Sequence, residues 1–264
     1  MTTLILSPRY TEDSSLVRDA ALAAGWRVER VQGWRVPEHS REDADIAVYG
    51  EPLFAAVVAD QLGRVLLEPP FAWLTTIPAR HLGRAVRFAT LAEARTVERP
   101  AFVKPADDKC FPARVYPSGD ALGGARVPLD TPVLIADPVD IELELRCFVL
   151  DRRVETLSIY ARDGALARDG DGSWPATTRE LEDAGAFAQR VLEDPEVSLP
   201  SAVVVDVGRL REGGEWVVIE ANPAWGSGIY GCDPHRVLRV VHRACLRRDQ
   251  LSADDRRWIV ERAA

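Results

Sequence analysis

Trp216-Val217-Val218-Ile219-Glu220-Ala221-Asn222-Pro223 is an apolar strand that ends in an acid and an amide, and Val203-Val204-Val205-Asp206-Val207-Gly208 precedes it. The connecting Glu212-Gly213-Gly214-Glu215 has turn composition, so the two strands are predicted to form an antiparallel hairpin. Side chains two apart on a strand share a face, which puts Glu220 and Asn222 together and lets the neighbouring strand present Asp206 beside them. A carboxylate on an otherwise apolar strand is costly without a partner. Hard divalent cations take one or two carboxylates plus amide or water oxygens and substrate phosphates, so Asp206, Glu220 and Asn222 suit a magnesium-nucleotide site. The plainer alternative is a strand end in solvent, with Asp206 paired to Arg209 or Arg211.

Upstream, Pro100-Ala101-Phe102-Val103-Lys104-Pro105-Ala106-Asp107-Asp108-Lys109 sets one lysine at the end of an apolar strand and a second in the loop behind it. These are the only lysines among 33 Lys+Arg, and they lie within six positions of each other. A surface lysine ordinarily snorkels. Two survivors so close together in an arginine-rich chain instead suit phosphate contacts, because an ammonium on a flexible stem reaches phosphate without bidentate geometry. Between lysines and hairpin, Val133-Leu134-Ile135-Ala136-Asp137-Pro138-Val139 reads as an apolar strand running into a bend. Glu142-Leu143-Glu144-Leu145-Arg146-Cys147 then alternates, with Glu142, Glu144 and Arg146 on one face. That face is either the wall of a charged cleft or a salt-bridged exterior.

The first seventy residues have a different grammar. Leu4-Ile5-Leu6, residues 26–31, Ile46-Ala47-Val48-Tyr49 and Val65-Leu66-Leu67 read as strands, and residues 14–24 and 52–62 as helices closed by Gly25 and Gly63. Alternating strands and helices predict a parallel sheet covered on both faces. Pro69-Pro70 interrupts the pattern, and longer strands with a helix at 178–192 follow, ending in predicted helices at 234–247 and 252–262. Arg152-Arg153 marks another hairpin turn. A formal charge of −8, with acids interleaved among the arginines, argues against a nucleic-acid partner. No run approaches the roughly 18 apolar residues of a membrane span. The four cysteines show neither zinc spacing nor a disulfide framework, and with no signal-peptide pattern at the start a cytoplasmic location is expected.

Taken in order, Lys-Pro after a strand, a short loop, an apolar hinge, Glu-x-Arg on a long strand, then Asp on one strand and Glu-x-Asn-Pro on the next, the chain resembles the ATP-grasp superfamily over about residues 84–240. The likeness is to ribosomal-protein glutamate ligases, D-alanine-D-alanine ligases and small ATP-grasp proteins of actinobacteria and phages. The resemblance implies an α/β and α+β architecture: a Rossmann-like pre-grasp α/β domain at 1–75, and an ATP-grasp domain at 76–264 whose two lobes clasp ATP. It implies that Lys104 touches the α-phosphate and adenine N7, and that Lys109 reaches the phosphates. Adenine would lie along Ile135, Ala136, Asp137 and Val139, with Glu142 or Glu144 near the ribose. Arg146 and Arg162 would stabilise the transferred phosphoryl group or an acyl phosphate, and Asp206, Glu220 and Asn222 would hold Mg2+. Trp225-Gly226-Ser227-Gly228 would border the acceptor pocket. The loop after Lys104 lacks the glycines usual in the family, so Lys109 or Arg114 would supply side-chain charge in their place.

The implied activity joins a carboxylate to an amine through an acyl phosphate, on small-molecule or peptide substrates. A kinase-like transfer to a hydroxyl and a non-catalytic nucleotide-binding module are the two rivals. His235, His242 and Cys232 read as structural rather than catalytic, and the C-terminal arginines as balancing nearby acids. The oligomeric state is left open, a homodimer included.

Overall fold

Three aliphatic residues in a row at Leu4-Ile5-Leu6 are all fully buried, which requires cover on both faces of the strand. The structure is a computed structural model and describes residues 1–43, 45–106, 110–123 and 127–259. β1 (Thr2–Leu6) lies between β2 (Arg27–Arg30) and β3 (Asp45–Tyr49), parallel to both. α1 (Glu12–Ala23) opens on a capping box between Thr11 and Ser14, and α2 (Pro52–Gln61) opens on a proline. Each ends just before a left-handed glycine, Gly25 or Gly63, as expected.

Beyond Pro69-Pro70 come two antiparallel sheets. β5 (Val86–Thr90), the single-turn α3 (Leu91–Ala94), β6 (Ala101–Pro105), β7 (Arg114–Tyr116) and β8 (Pro132–Ala136) build the first, ordered β5-β8-β6-β7. β9 (Ile141–Leu150), β10 (Arg153–Arg162), β11 (Ala165–Leu166), β12 (Ala202–Leu210) and β13 (Trp216–Asn222) build the second, ordered β11-β10-β9-β12-β13. Both predicted hairpins are present and antiparallel. α4 (Thr178–Glu193) covers the second sheet, burying Ala184, Phe187, Ala188 and Val191 against Leu143, Leu145, Cys147, Val205 and Val207. That leaves Glu142, Glu144 and Arg146 on the opposite face, as the alternation required.

The first sheet is also two-faced. Ala89, Ala101, Val103, Tyr116, Val133 and Ile135 point into a core closed by Leu91, Phe111 and Leu122. Register partners Phe88, Leu134 and Lys104, with Ala136, Phe102 and Val115 beside them, share the other face. There Phe88 and Val115 remain 44% and 47% exposed.

Three expectations are corrected. The fourth strand, β4 (Arg64–Leu66), does not join the parallel sheet; it pairs antiparallel with β14 (Cys245–Arg247). The C-terminal helix α5 (Pro234–Arg243) therefore stops four residues short of 247, because those residues are used as strand. The helix predicted from 252 is a single 3-10 turn, Asp255–Trp258, although the Asp255 N–H does donate to Ser252 Oγ at 3.0 Å. Ile259 is extended and bridges Leu67, and the Trp258 carbonyl accepts from Glu68 N–H, which holds the chain out of a helix; residues 260–262 lie outside the described residues. β5 and β7 went unread because neither holds an apolar run: β5 is Val86-Arg87-Phe88-Ala89-Thr90 and β7 only Arg114-Val115-Tyr116.

Residues 1–75 close no core by themselves. Leu4, Ile5, Ile46, Val48 and Phe54 share one cluster with Phe148, Val204, Trp225 and the apolar face of α5. No helix among the described residues is long and apolar enough to cross a membrane.

Candidate active site

One polar row crosses four strands of the second sheet. Ser158 on β10 is the register partner of Arg146 on β9, Arg146 of Asp206 on β12, and Asp206 of Glu220 on β13. The last pairing depends on a bulge. Val207 faces Val218, but Asp206 faces Glu220, so Ile219 is an extra residue. By strict alternation Glu220 would share the buried face of Val218; the bulge turns it over to the face of Asp206. Asn222, two residues on, stays with Glu220 and donates from Nδ2 to Glu220 Oε1 at 2.9 Å and to Asp206 Oδ2 at 3.2 Å. The sequence trio is thus brought together, and the Arg209 and Arg211 pairings to Asp206 are not formed. Arg209 holds Glu142, and Arg211 holds Asp140 and Asp163.

Asp206 has no exposed surface, and both of its oxygens are held by Arg146, Nε to Oδ1 at 2.9 Å and Nη2 to Oδ2 at 2.7 Å. Burial pushes the Asp206 carboxyl up to about 6, opposed by the charge of Arg146. Burial also works against the Arg146 charge, but Asp206 outweighs it and holds the guanidinium above its ordinary range. Arg146 Nη1 donates to the Gly228 carbonyl at 3.0 Å, which ties the loop after β13 to the row. Across from this row, Lys104 Nζ lies 2.5 Å from Glu220 Oε2. Burial resists ionisation of Glu220, but the charge and hydrogen bond of Lys104, with Asn222, bring its carboxyl down to about 2.

These groups line a cleft of about 580 Å3, with Lys104, Arg146, Glu220 and Asn222 on its walls. Glu68, Pro70 and Phe71 of the connecting segment close another side, and Gly228 and Tyr230 a third. Tyr160 and Tyr230, which the sequence reading missed, stack at 5.1 Å with Arg146 beside both rings. Tyr160 donates to Glu144 at 2.7 Å, and burial pushes the Glu144 carboxyl up. Ser158 and Tyr160 alternate along a strand and were legible in principle. Tyr230 sits in a loop at φ +49°, with no periodic signal.

Arg162 is the clearest correction. A bulge at Tyr160 separates Ile159, partner of Leu145, from Ala161, partner of Glu144, so Arg162 falls opposite Leu143 on the α4 side. There it pairs with Glu180 at 2.9 and 3.1 Å and does not line the cleft. The hydrogen bonds from Arg162, with those of the helix cap, bring the Glu180 carboxyl from its ordinary 4.5 to about 2. A depressed carboxyl contributes stability above its unfolded value that is lost as pH falls toward the folded one. Glu180→Gln is accordingly expected to flatten the loss of stability between about pH 4.5 and 2 seen in urea titrations of the parent protein.

The hinge is divided. Leu134 borders the cleft, whereas Ile135, Ala136 and Asp137 border a second hollow, and Val139 is half-buried. The Asp137 carboxylate is taken by Arg99 at 2.9 Å and by the Ala85 N–H. Lys109 lies outside the described residues. Cys232 is packed under the Arg146 carbonyl, and burial pushes its thiol up to about 12. His242 is held by Asp45, and Arg236, Arg239, Arg243 and Arg247 each pair with an acid, the balancing role expected of them. Gly231 donates to Ser158 Oγ, and a Cβ there would come within 2.6 Å of that oxygen and 2.8 Å of Trp174 Cβ. Gly231→Ala is expected to cost about 1–3 kcal/mol by urea denaturation.

Two antiparallel sheets facing each other over a cleft, with a lysine on one and an acid-amide pair on the other, define an ATP-grasp arrangement. A family described as an ATP-grasp domain, the second family of its clade, matches residues 81–240, and the chain belongs to that family. Among solved structures it is similar to a RimK domain ATP-grasp protein from Sphaerobacter thermophilus, at 16% identity and TM-score 0.56 over 91% of this chain and 99% of that one. It is also similar to D-alanine–D-alanine ligase from Bacillus anthracis, at 11% identity and TM-score 0.51 over 92% and 97%. A third is the ATP-grasp ligase PsnB, solved with minimal precursor, Mg and ADP, at 12% identity and TM-score 0.51 over 91% and 97%. No curated protein sequence matches the chain.

Proposed function

We propose that the protein is an ATP-dependent carboxylate-amine ligase that forms an amide or peptide bond through an acyl phosphate, releasing ADP and phosphate. The observation that carries this is the meeting of Lys104 from one sheet with Glu220, Asn222 and Arg146 from the other on a single cleft. Membership of the ATP-grasp family and the ligase names of the solved relatives support the reaction class.

The donor set fits magnesium. Glu220 offers carboxylate oxygens at the cleft wall, and both hydrogen bonds of Asn222 use its nitrogen, leaving the amide oxygen for a cation. Asp206 stands behind them as the counter-ion of Arg146, close enough to add its field. Magnesium, when bound, neutralises phosphate charge and orients the phosphates for in-line attack. Lys104 contributes a mobile charge to the same phosphates. Arg146, fixed by Asp206 and Gly228, presents its remaining N–H groups to the cleft, where a developing phosphoryl or tetrahedral oxyanion would be met. The apolar face of Phe88, Phe102, Val115 and Leu134 offers a surface for a purine. Glu144 suits the ribose better than Glu142, which Arg209 holds. The amine would enter by Gly228 and Tyr230.

The test is ADP release from ATP and Mg2+ against pooled amino acids, other carboxylates and short peptides, with Glu220→Ala as control. Release that needs both a carboxylate and an amine, with an amide product by mass spectrometry, is expected. A phosphorylated hydroxyl without amide would make the protein a kinase. No thermal shift with MgATP would overturn nucleotide binding itself.

A further inference from the structure

Each oxygen of Glu220 already has a side-chain partner. Oε1 accepts from Asn222 Nδ2 and Oε2 is held by Lys104. Asp206 is likewise closed, by Arg146 and by the same amide. Two carboxylates are therefore matched by two side-chain cations, with an amide turned nitrogen-first between them. One of the two cations is not of the same sheet: Lys104 comes from β6, 116 positions away, across the cleft. The pair is sheltered without being sealed, its side chains 21% and 30% exposed, so the ammonium can leave through the cleft.

A dication and an ammonium cannot share one carboxylate, since like charges a few ångströms apart repel strongly in a partly desolvated site. Adding Mg2+ alone would leave the displaced Lys104 ammonium facing the dication without an anion of its own. Adding it with a polyphosphate would not, because the phosphates give Lys104 a new anionic partner as it gives up Glu220. We infer that Lys104 is a built-in counter-cation that closes the metal site of the nucleotide-free protein, so that Mg2+ enters with the nucleotide and not ahead of it. This rests on the reading of Glu220 and Asn222 as metal ligands. It assigns Lys104 two partners in sequence, Glu220 before the nucleotide arrives and phosphate afterwards, and makes the ion pair a strap between the two sheets that the nucleotide must release.

The experiment uses MgCl2 alone, without nucleotide, and reads binding by isothermal titration calorimetry and thermal shift, not turnover. Lys104→Met is expected to bind Mg2+ roughly tenfold more tightly than the parent, the change that about 1.4 kcal/mol of removed competition gives. Lys104→Arg keeps a cation opposite Glu220 and is expected to stay as closed as the parent. Adding Glu220→Gln to Lys104→Met is expected to abolish the gain. Equal Mg2+ affinity in the parent and Lys104→Met would overturn the counter-cation while leaving the metal site intact. If Lys104→Met gains no Mg2+ affinity and ATP binding to the parent is indifferent to Mg2+, the metal site fails and the inference with it.

Discussion

Glu220→Gln is expected to lower MgATP-dependent ADP release by at least about a hundredfold, the scale on which a single charge-stabilising group acts in a closed site. The substitution keeps the shape of the side chain and an oxygen for Asn222, but removes the charge that would hold the dication. It also leaves Lys104 without its carboxylate. Because that lysine has a route to solvent, the ammonium is not stranded in the core, and the loss of stability is limited to that of the ion pair itself. A large loss of activity in a variant that still unfolds cooperatively in urea would mark Glu220 as a functional acid. Near-normal ADP release from the variant would sink the assignment of Glu220 to the metal, whatever the fate of the fold.

The second large effect falls on stability. Arg146→Met is expected to destabilise the protein by about 3–5 kcal/mol, because it strands Asp206 as a buried carboxylate without its bidentate partner. Replacing both members, as Arg146→Met with Asp206→Leu, is expected to restore most of that loss, since an apolar pair of similar volume often replaces a buried ion pair at little cost. Turnover should not return with it. Urea denaturation of parent, single and double variants gives the coupling, and the ADP assay gives the activity. If the double variant were as unstable as Arg146→Met alone, the bond to Gly228 and the ring contacts, not the ion pair, would be what Arg146 contributes to the fold.

The hairpin of β12 and β13 was legible because apolar strands with a glycine turn between them have few other options, and its acid-amide pair followed from a period of two. The face of β9 was legible for the same reason: Leu143, Leu145 and Cys147 face α4, and Glu144 and Arg146 do not. The same device acted in two places, with opposite outcomes for the reading. A bulge at Ile219 rescued Glu220 for the cleft, and a bulge at Tyr160 took Arg162 away from it. A single extra residue reverses every side chain beyond it and leaves no compositional mark. The partner of Lys104 could not be read either, because it depends on how two sheets face each other. The C-terminal segment misled for a third reason. Ser252-Ala253-Asp254-Asp255 is a sound helix start, but the pull of Trp258 and Ile259 onto Leu67 and Glu68 overrides local propensity after one turn.

The shared core of the first strands has a consequence for synthesis. Leu4, Ile46 and Val48 leave the ribosome well ahead of part of what covers them, Trp225 with Val237, Val240 and Val241 of α5. The three-stranded parallel sheet must therefore wait, incompletely covered, until α5 has emerged. Contacts that close over such sequence distances are slow to form, and the exposed strands in the interval are the stage at which this protein is most open to aggregation.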